Sequence, residues 1–153
     1  MYHLEIKISI LKELMMKKLH DTKYFKVDEF LRSETADKLG IDNTPTDETI
    51  IDNINYSLER LNEIRESYGS PIIISSGYRC QALNDAVGGV KDSKHLYGLA
   101  VDLKWDPKLL EFITDNMQFD KLIREKAGKT RWIHIQFRRD RETERNLIYS
   151  ISK

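Results

Sequence analysis

Two histidines and an aspartate constrain this chain more than any other feature. His95 and Asp102 lie in the run Ser93-Lys94-His95-Leu96-Tyr97-Gly98-Leu99-Ala100-Val101-Asp102, and His134 follows in Trp132-Ile133-His134. For the three to act together, the fold must turn a loop into a strand and lay a later strand beside it. Two imidazoles and one carboxylate match the ligand count of a hydrolytic zinc site. Three protein ligands leave one tetrahedral position for water, whereas structural sites close with four. Gly98 and Ala100 let His95 and Asp102 reach one point, and Trp132, His134 and Gln136 alternate along one strand face. Spacing alone leaves a second reading for His134, a polar residue capping a sheet face. His3 and His20 lack such company and read as ordinary surface or core positions.

Composition narrows the partners. Twenty-five Lys and Arg balance twenty-five Asp and Glu, so no bulk field favours nucleic acid or an anionic membrane. A chain of 153 residues suits one domain, 1–153, with a core that needs no disulfide staples. The one cysteine, Cys80, has no internal partner and reads as a small, partly buried residue beside a loop. Glu5, Lys7, Lys12, Glu13, Lys17 and Lys18 interrupt the apolar residues at the start, which excludes both a signal-peptide core and a spanning segment. The expectation is a soluble, monomeric product made in the cytoplasm without an export signal and without membrane insertion.

Along the chain, helices precede a sheet. Residues 1–25 hold an amphipathic segment of undecided type around Ile10, Leu11, Leu14 and Met15. Residues 26–46 read as irregular with one short helix near 28–31. Thr46 is a plausible N-cap, and Ile50, Ile51, Ile54, Leu58, Leu61 and Ile64 recur at helical spacing until Gly69, which predicts a helix over 47–68. Residues 71–75 are a β-branched run fit for a buried strand, and 81–87 a short helical piece stopped by Gly88-Gly89. Residues 99–104 alternate as a strand. Asp106-Pro107 opens a further helix with an acid at N-cap and proline at N1. Residues 119–125 and 131–137 flank Ala127-Gly128-Lys129 as a β-hairpin, and 146–151 offer a final strand. The fold class is α+β, with N-terminal helices packed on a small antiparallel sheet.

Ser76-Gly77-Tyr78-Arg79, Asn84, Gly88-Gly89, the spaced set Ser93, His95, Gly98, Ala100 and Asp102, and the pair Trp132 and His134 together resemble the zinc D-alanyl-D-alanine carboxypeptidase family. That family includes the L-alanyl-D-glutamate endopeptidases of phage lysis and shares its fold with hedgehog signalling domains. The resemblance covers residues 25–137; upstream, Phe25-Lys26-Val27-Asp28-Glu29-Phe30 and Gly40-Ile41-Asp42-Asn43 look like the leader of compact phage and prophage members. It implies a peptidoglycan stem-peptide peptidase whose Zn²⁺ is held by His95, Asp102 and His134. It also implies that Arg79 clamps an oxyanion or carboxylate, a role its fixed charge and fork geometry suit. A surface salt bridge is the plainer reading of Arg79.

The general base departs from the best-known members. Many carry an acid three residues before the last histidine, where this chain has Arg131, which cannot accept a proton. Compact members place an acid on the preceding strand, and residues 119–125 fit that arrangement. With the turn at Gly128-Lys129, Ile123 opposes His134 and Glu125 opposes Trp132 on the same face. A diagonal neighbour about 7–8 Å away is within reach of a long carboxylate, so Glu125 is the expected base. A one-residue slip would turn it outward, and Asp120 is then the alternative. Ser93 either contacts substrate or orients the His95 loop. Trp132 either walls the cleft or packs as core. Gln136 stands where compact members often have serine, which bears on substrate fit. The expected activity is carboxypeptidase or endopeptidase cleavage of peptidoglycan in phage or prophage lysis, after release to the wall. The alternatives are a zinc-bound but inactive wall-binding module and a structural tail or baseplate component.

Overall fold

A computed structural model describes residues 1–153. Six helices and five strands follow one another as α1 Tyr2–Met16, α2 Val27–Leu31, α3 Glu34–Leu39, α4 Glu48–Tyr68, β1 Ile74–Ser76, α5 Gln81–Ala86, β2 Ala100–Lys104, α6 Pro107–Asn116, β3 Lys121–Ala127, β4 Thr130–Gln136 and β5 Leu147–Ser152. The strands form one sheet in the order β1-β2-β4-β3-β5.

Period-two alternation divides that sheet into two faces of different chemistry. Val101 and Leu103 of β2, Leu122 of β3, and Ile133 and Ile135 of β4 point to one side and are buried. Against them lie Ile51, Ile54, Leu58, Leu61 and Ile64 of α4 and Leu109, Leu110 and Ile113 of α6, in one cluster of 22 buried residues. Each such side chain contributes about 1.5–3 kcal/mol by leaving water. The opposite face carries Asp102, Ile123, Glu125, His134 and Gln136. Layered burial on one face thus leaves the other free for polar chemistry.

The long helix starts one residue later than expected, because Asp47 rather than Thr46 caps it and accepts from the Ile50 amide. The hairpin register is as expected: Ile123 pairs with His134 and Glu125 with Trp132, around Gly128 at φ +60°. Asp106 caps α6, with proline at the first position.

Three expectations need correction. Residues 26–46 hold a second helix, α3, capped by Ser33 and closed by Gly40 in the left-handed conformation. The sheet is mixed rather than antiparallel, since β5 runs parallel to β3. Strand β4 ends at Gln136, opposite Lys121, and β5 begins at Leu147 beside that same Lys121. The connection returns to the end it left, on the outer side of β3, so parallel pairing follows. Finally, α1 stands largely apart from the core: none of its residues is buried, and Met15 alone packs, half-buried, against the core cluster. Salt bridges from Lys12 to Asp42 and from Lys18 to Glu48 tether that end, and the core begins at Leu19. No helix is long and apolar enough to cross a membrane.

Candidate metal centre

Each of the three metal-type residues is delivered by a different element. His95 sits in the 3-10 turn Lys94–Tyr97, and its own amide donates to the capping Ser93 Oγ at 3.3 Å. The turn is docked onto α4 by Asn53, which donates to the Tyr97 carbonyl at 2.9 Å, and by Ser57, which donates to the Gly98 carbonyl at 2.6 Å. Gly98 is required there. It adopts φ +74°, and a Cβ would stand 2.7 Å from Ile54 Cγ1. Asp102 and His134 are direct cross-strand partners of β2 and β4 and point to the cleft face.

Their donor atoms converge. His95 Nε2 lies 3.3 Å and His134 Nδ1 3.1 Å from Asp102 Oδ1, and one ligand atom of each residue lies within 4.8 Å of the others. An ion bound at 2.0–2.1 Å in tetrahedral geometry sets its ligand atoms about 3.3 Å apart, so these two separations fit such an ion. Both imidazoles also have their other nitrogen engaged. His95 Nδ1–H donates to the Gly77 carbonyl at 2.7 Å, and His134 Nε2 faces Gln136 Oε1 at 3.1 Å. Second contacts of this kind fix the tautomer and orientation of metal-binding histidines. The set can hold a metal ion.

Charge in the site is strongly coupled. Burial opposes ionisation of Asp102, but the flanking imidazoles outweigh it and hold the carboxyl well below its usual range. Burial lowers the His134 pKa, yet its hydrogen bond to Asp102 and that group's charge leave it raised overall.

Arg79 closes one side of the centre. Its Nη2 meets Asp102 Oδ2 at 3.2 Å, Nη1 meets Asn84 Oδ1 at 3.3 Å and Nε meets Ser76 Oγ at 3.3 Å. The guanidinium is therefore tied to the metal-type carboxylate and is no free surface cation. Asn84 is held in turn by the Val90 carbonyl, and Gly89 makes room, since a Cβ there would lie 2.1 Å from Asn84 Oδ1.

The cleft in front of the triad has a volume of about 570 Å³ and is walled by Arg79, Ser93, Glu125, Trp132 and Lys153, with Gln136 at its floor. Trp132 Nε1 donates to Glu125 Oε2 at 2.5 Å, while Glu125 Oε1 lies 4.0 Å from Lys153 Nζ. Asp120 does not line this cleft. It is buried behind Gln136 and saturated by Arg138 and Arg145. Sequence reasoning missed the structural weight of two amides. Asn43 donates to the Leu31 and Tyr78 carbonyls and accepts from the Cys80 amide, which holds the segment leading to Arg79. Gln136, read as a substrate-fit position, touches His134. The partners of Asn43 are remote in the chain, while alternation along β4 puts Gln136 beside His134 without showing which end of its amide faces the ring.

A small α+β fold with a two-histidine, one-carboxylate centre on the open face of its sheet defines a class of metal-dependent hydrolases. Residues 23–136 match the family model described as Peptidase M15, and the chain belongs to that family of metallopeptidases. No curated protein matches the chain.

Proposed function

We propose that residues 1–153 form one zinc peptidase domain that cleaves peptide bonds involving D-amino acids in bacterial peptidoglycan stem peptides. The observation that carries this reading is the convergence of His95, Asp102 and His134 at the floor of an open cleft. A zinc ion held there would lower the pKa of its water from 15.7 to about 7 and polarise a peptide carbonyl.

The chain's own residues supply the rest. Glu125 is the proton acceptor: it stands on the cleft wall, where Trp132 holds one carboxylate oxygen and Lys153 Nζ lies 4.0 Å from the other. Arg79 stabilises the oxyanion or a substrate carboxylate while steadying Asp102. Trp132 walls the bound peptide. Ser93 holds the His95 turn and offers its hydroxyl at the cleft edge. The proposed setting is phage or prophage lysis, with the protein reaching the wall from the cytoplasm by phage-mediated release.

Purified peptidoglycan digested with the zinc-loaded protein should yield new termini that mass spectrometry assigns to one stem-peptide bond. Activity should vanish with a strong chelator and return with zinc. Wall binding without new termini would instead mean a binding module, a reading that Arg131 in the usual place of the acid keeps in view.

A further inference from the structure

The cleft face continues behind His134 as a chain of directed hydrogen bonds. Gln136 Oε1 lies 3.1 Å from His134 Nε2, and Gln136 Nε2 donates to Asp120 Oδ2 at 3.2 Å. Arg145 grips Asp120 with both arms, Nε to Oδ1 and Nη2 to Oδ2 at 2.9 Å each, and Arg138 Nε adds a contact to Oδ1 at 3.0 Å. Asp120 itself is buried, with 2 % of its surface exposed. Burial opposes its charge, yet Arg145, the Gln136 amide and Arg138 bring its pKa down to about 2.

The direction of these bonds is forced. A carboxylate kept ionised by two guanidinium groups only accepts, so the Gln136 amide must present its NH₂ to Asp120. Its carbonyl oxygen then faces His134, and an acceptor there requires the proton on Nε2. Nδ1 shares its proton with Asp102 Oδ1 at 3.1 Å, and with Nε2 holding the other proton, a metal that displaced the Nδ1 proton would meet that lone pair. The arginines lie beyond the stretch that matches the family, which ends at Gln136.

The segment that carries them is firmly anchored. Arg60 of α4 forms a buried ion pair with Glu144 at 2.7 Å, stacks on Phe137 with 4.6 Å to the ring centroid, and donates to the Gln118 carbonyl. Glu144 also accepts from the Arg138 amide at 2.9 Å. The Asp120 carbonyl accepts from Leu147 and its amide donates to Gln136, so β5 is joined to the same point.

We propose that Gln136 and Asp120 are positioning residues, and that the C-terminal segment, through Arg138 and Arg145, sets the tautomer of His134 and thereby the metal affinity of the centre. This rests on the reading of His134 as a metal ligand. Asp120→Asn would let the Gln136 amide turn over and offer His134 a donor instead of an acceptor. Gln136→Leu would remove the contact altogether.

Zinc affinity, read by competition with a chromophoric chelator, should fall about 10–100-fold in both variants, as outer-shell losses do at other centres. Arg145→Ala, at a largely exposed side chain, should move affinity in the same direction by a smaller factor. Nitrogen-correlated NMR of the zinc-loaded wild type should show His134 protonated at Nε2, and cobalt-substituted Asp120→Asn should show an altered ligand-field spectrum. Should Gln136→Leu fail to fold, Asp120→Asn and Arg145→Ala decide the matter. Wild-type zinc affinity and cobalt spectra in folded Asp120→Asn and Arg145→Ala would overturn the relay alone. A wild-type protein that binds no zinc would overturn both the relay and the metal reading beneath it.

Discussion

Glu125 and Asp120 are both carboxylates on or beside β3, yet their surroundings differ sharply. Asp120 is surrounded by donors and kept ionised, so it has no open lone pair to offer a cleft water. Glu125 lines the cleft, with one oxygen held by Trp132 and the other 4.0 Å from Lys153 Nζ. Glu125→Gln preserves size and removes the proposed proton acceptor. Zinc should still bind, while turnover on peptidoglycan should fall by about 10²–10⁴-fold. Near-normal turnover in the folded, zinc-loaded variant would exclude Glu125 as the base. At this scale the metal-type residues were legible because their chemistry admits few side chains and their spacing places them in one short motif. The position of Glu125 opposite Trp132 was legible because a tight turn fixes which residues oppose each other. Asn43 and Gln136 were not, since an amide reveals its task only when its partners are in place.

Among the elements, the 3-10 turn carrying His95 depends on how closely α4 approaches it. Gly98→Ala would force a Cβ into Ile54 and place alanine at φ +74°. A loss of about 1–3 kcal/mol is expected from the strained backbone and the contact together. Urea unfolding should report it as a lower midpoint at unchanged slope. An unchanged midpoint would mean that the turn shifts away from α4 without cost. The longest helix and the hairpin were readable from the sequence because sustained periodicity and a glycine turn are local signals. Helix α3 escaped because six residues scarcely establish a period, although Ser33 and Gly40 bracket it with a usable cap at each end. The parallel placement of β5 escaped because residues 137–146 determine it by where they lead, and no residue pattern within the strand encodes direction.

For the molecule as a whole, one core face supports one chemical face, and the three metal-type residues join a turn to two paired strands. An ion that binds only this arrangement stabilises the folded state by mass action, by about 4 kcal/mol at a thousandfold excess over Kd. For a chain of this size that corresponds to about 8–16 °C in Tm. Calorimetry of the chelator-treated protein with and without added zinc should find a rise of this order, absent in His134→Ala. Equal melting curves with and without zinc in the wild type would contradict the metal assignment. The Gly77 carbonyl, the Asn53 and Ser57 side chains and the cross-strand pairing hold the donor atoms in place through contacts of the protein itself. Rigidity of that kind acts as a filter on ion identity. Magnesium and calcium favour shells of oxygen, six or more in number. They would meet two fixed imidazoles and a sheet that cannot spread to admit further ligands, whereas ions content with nitrogen and low coordination would fit without rearrangement.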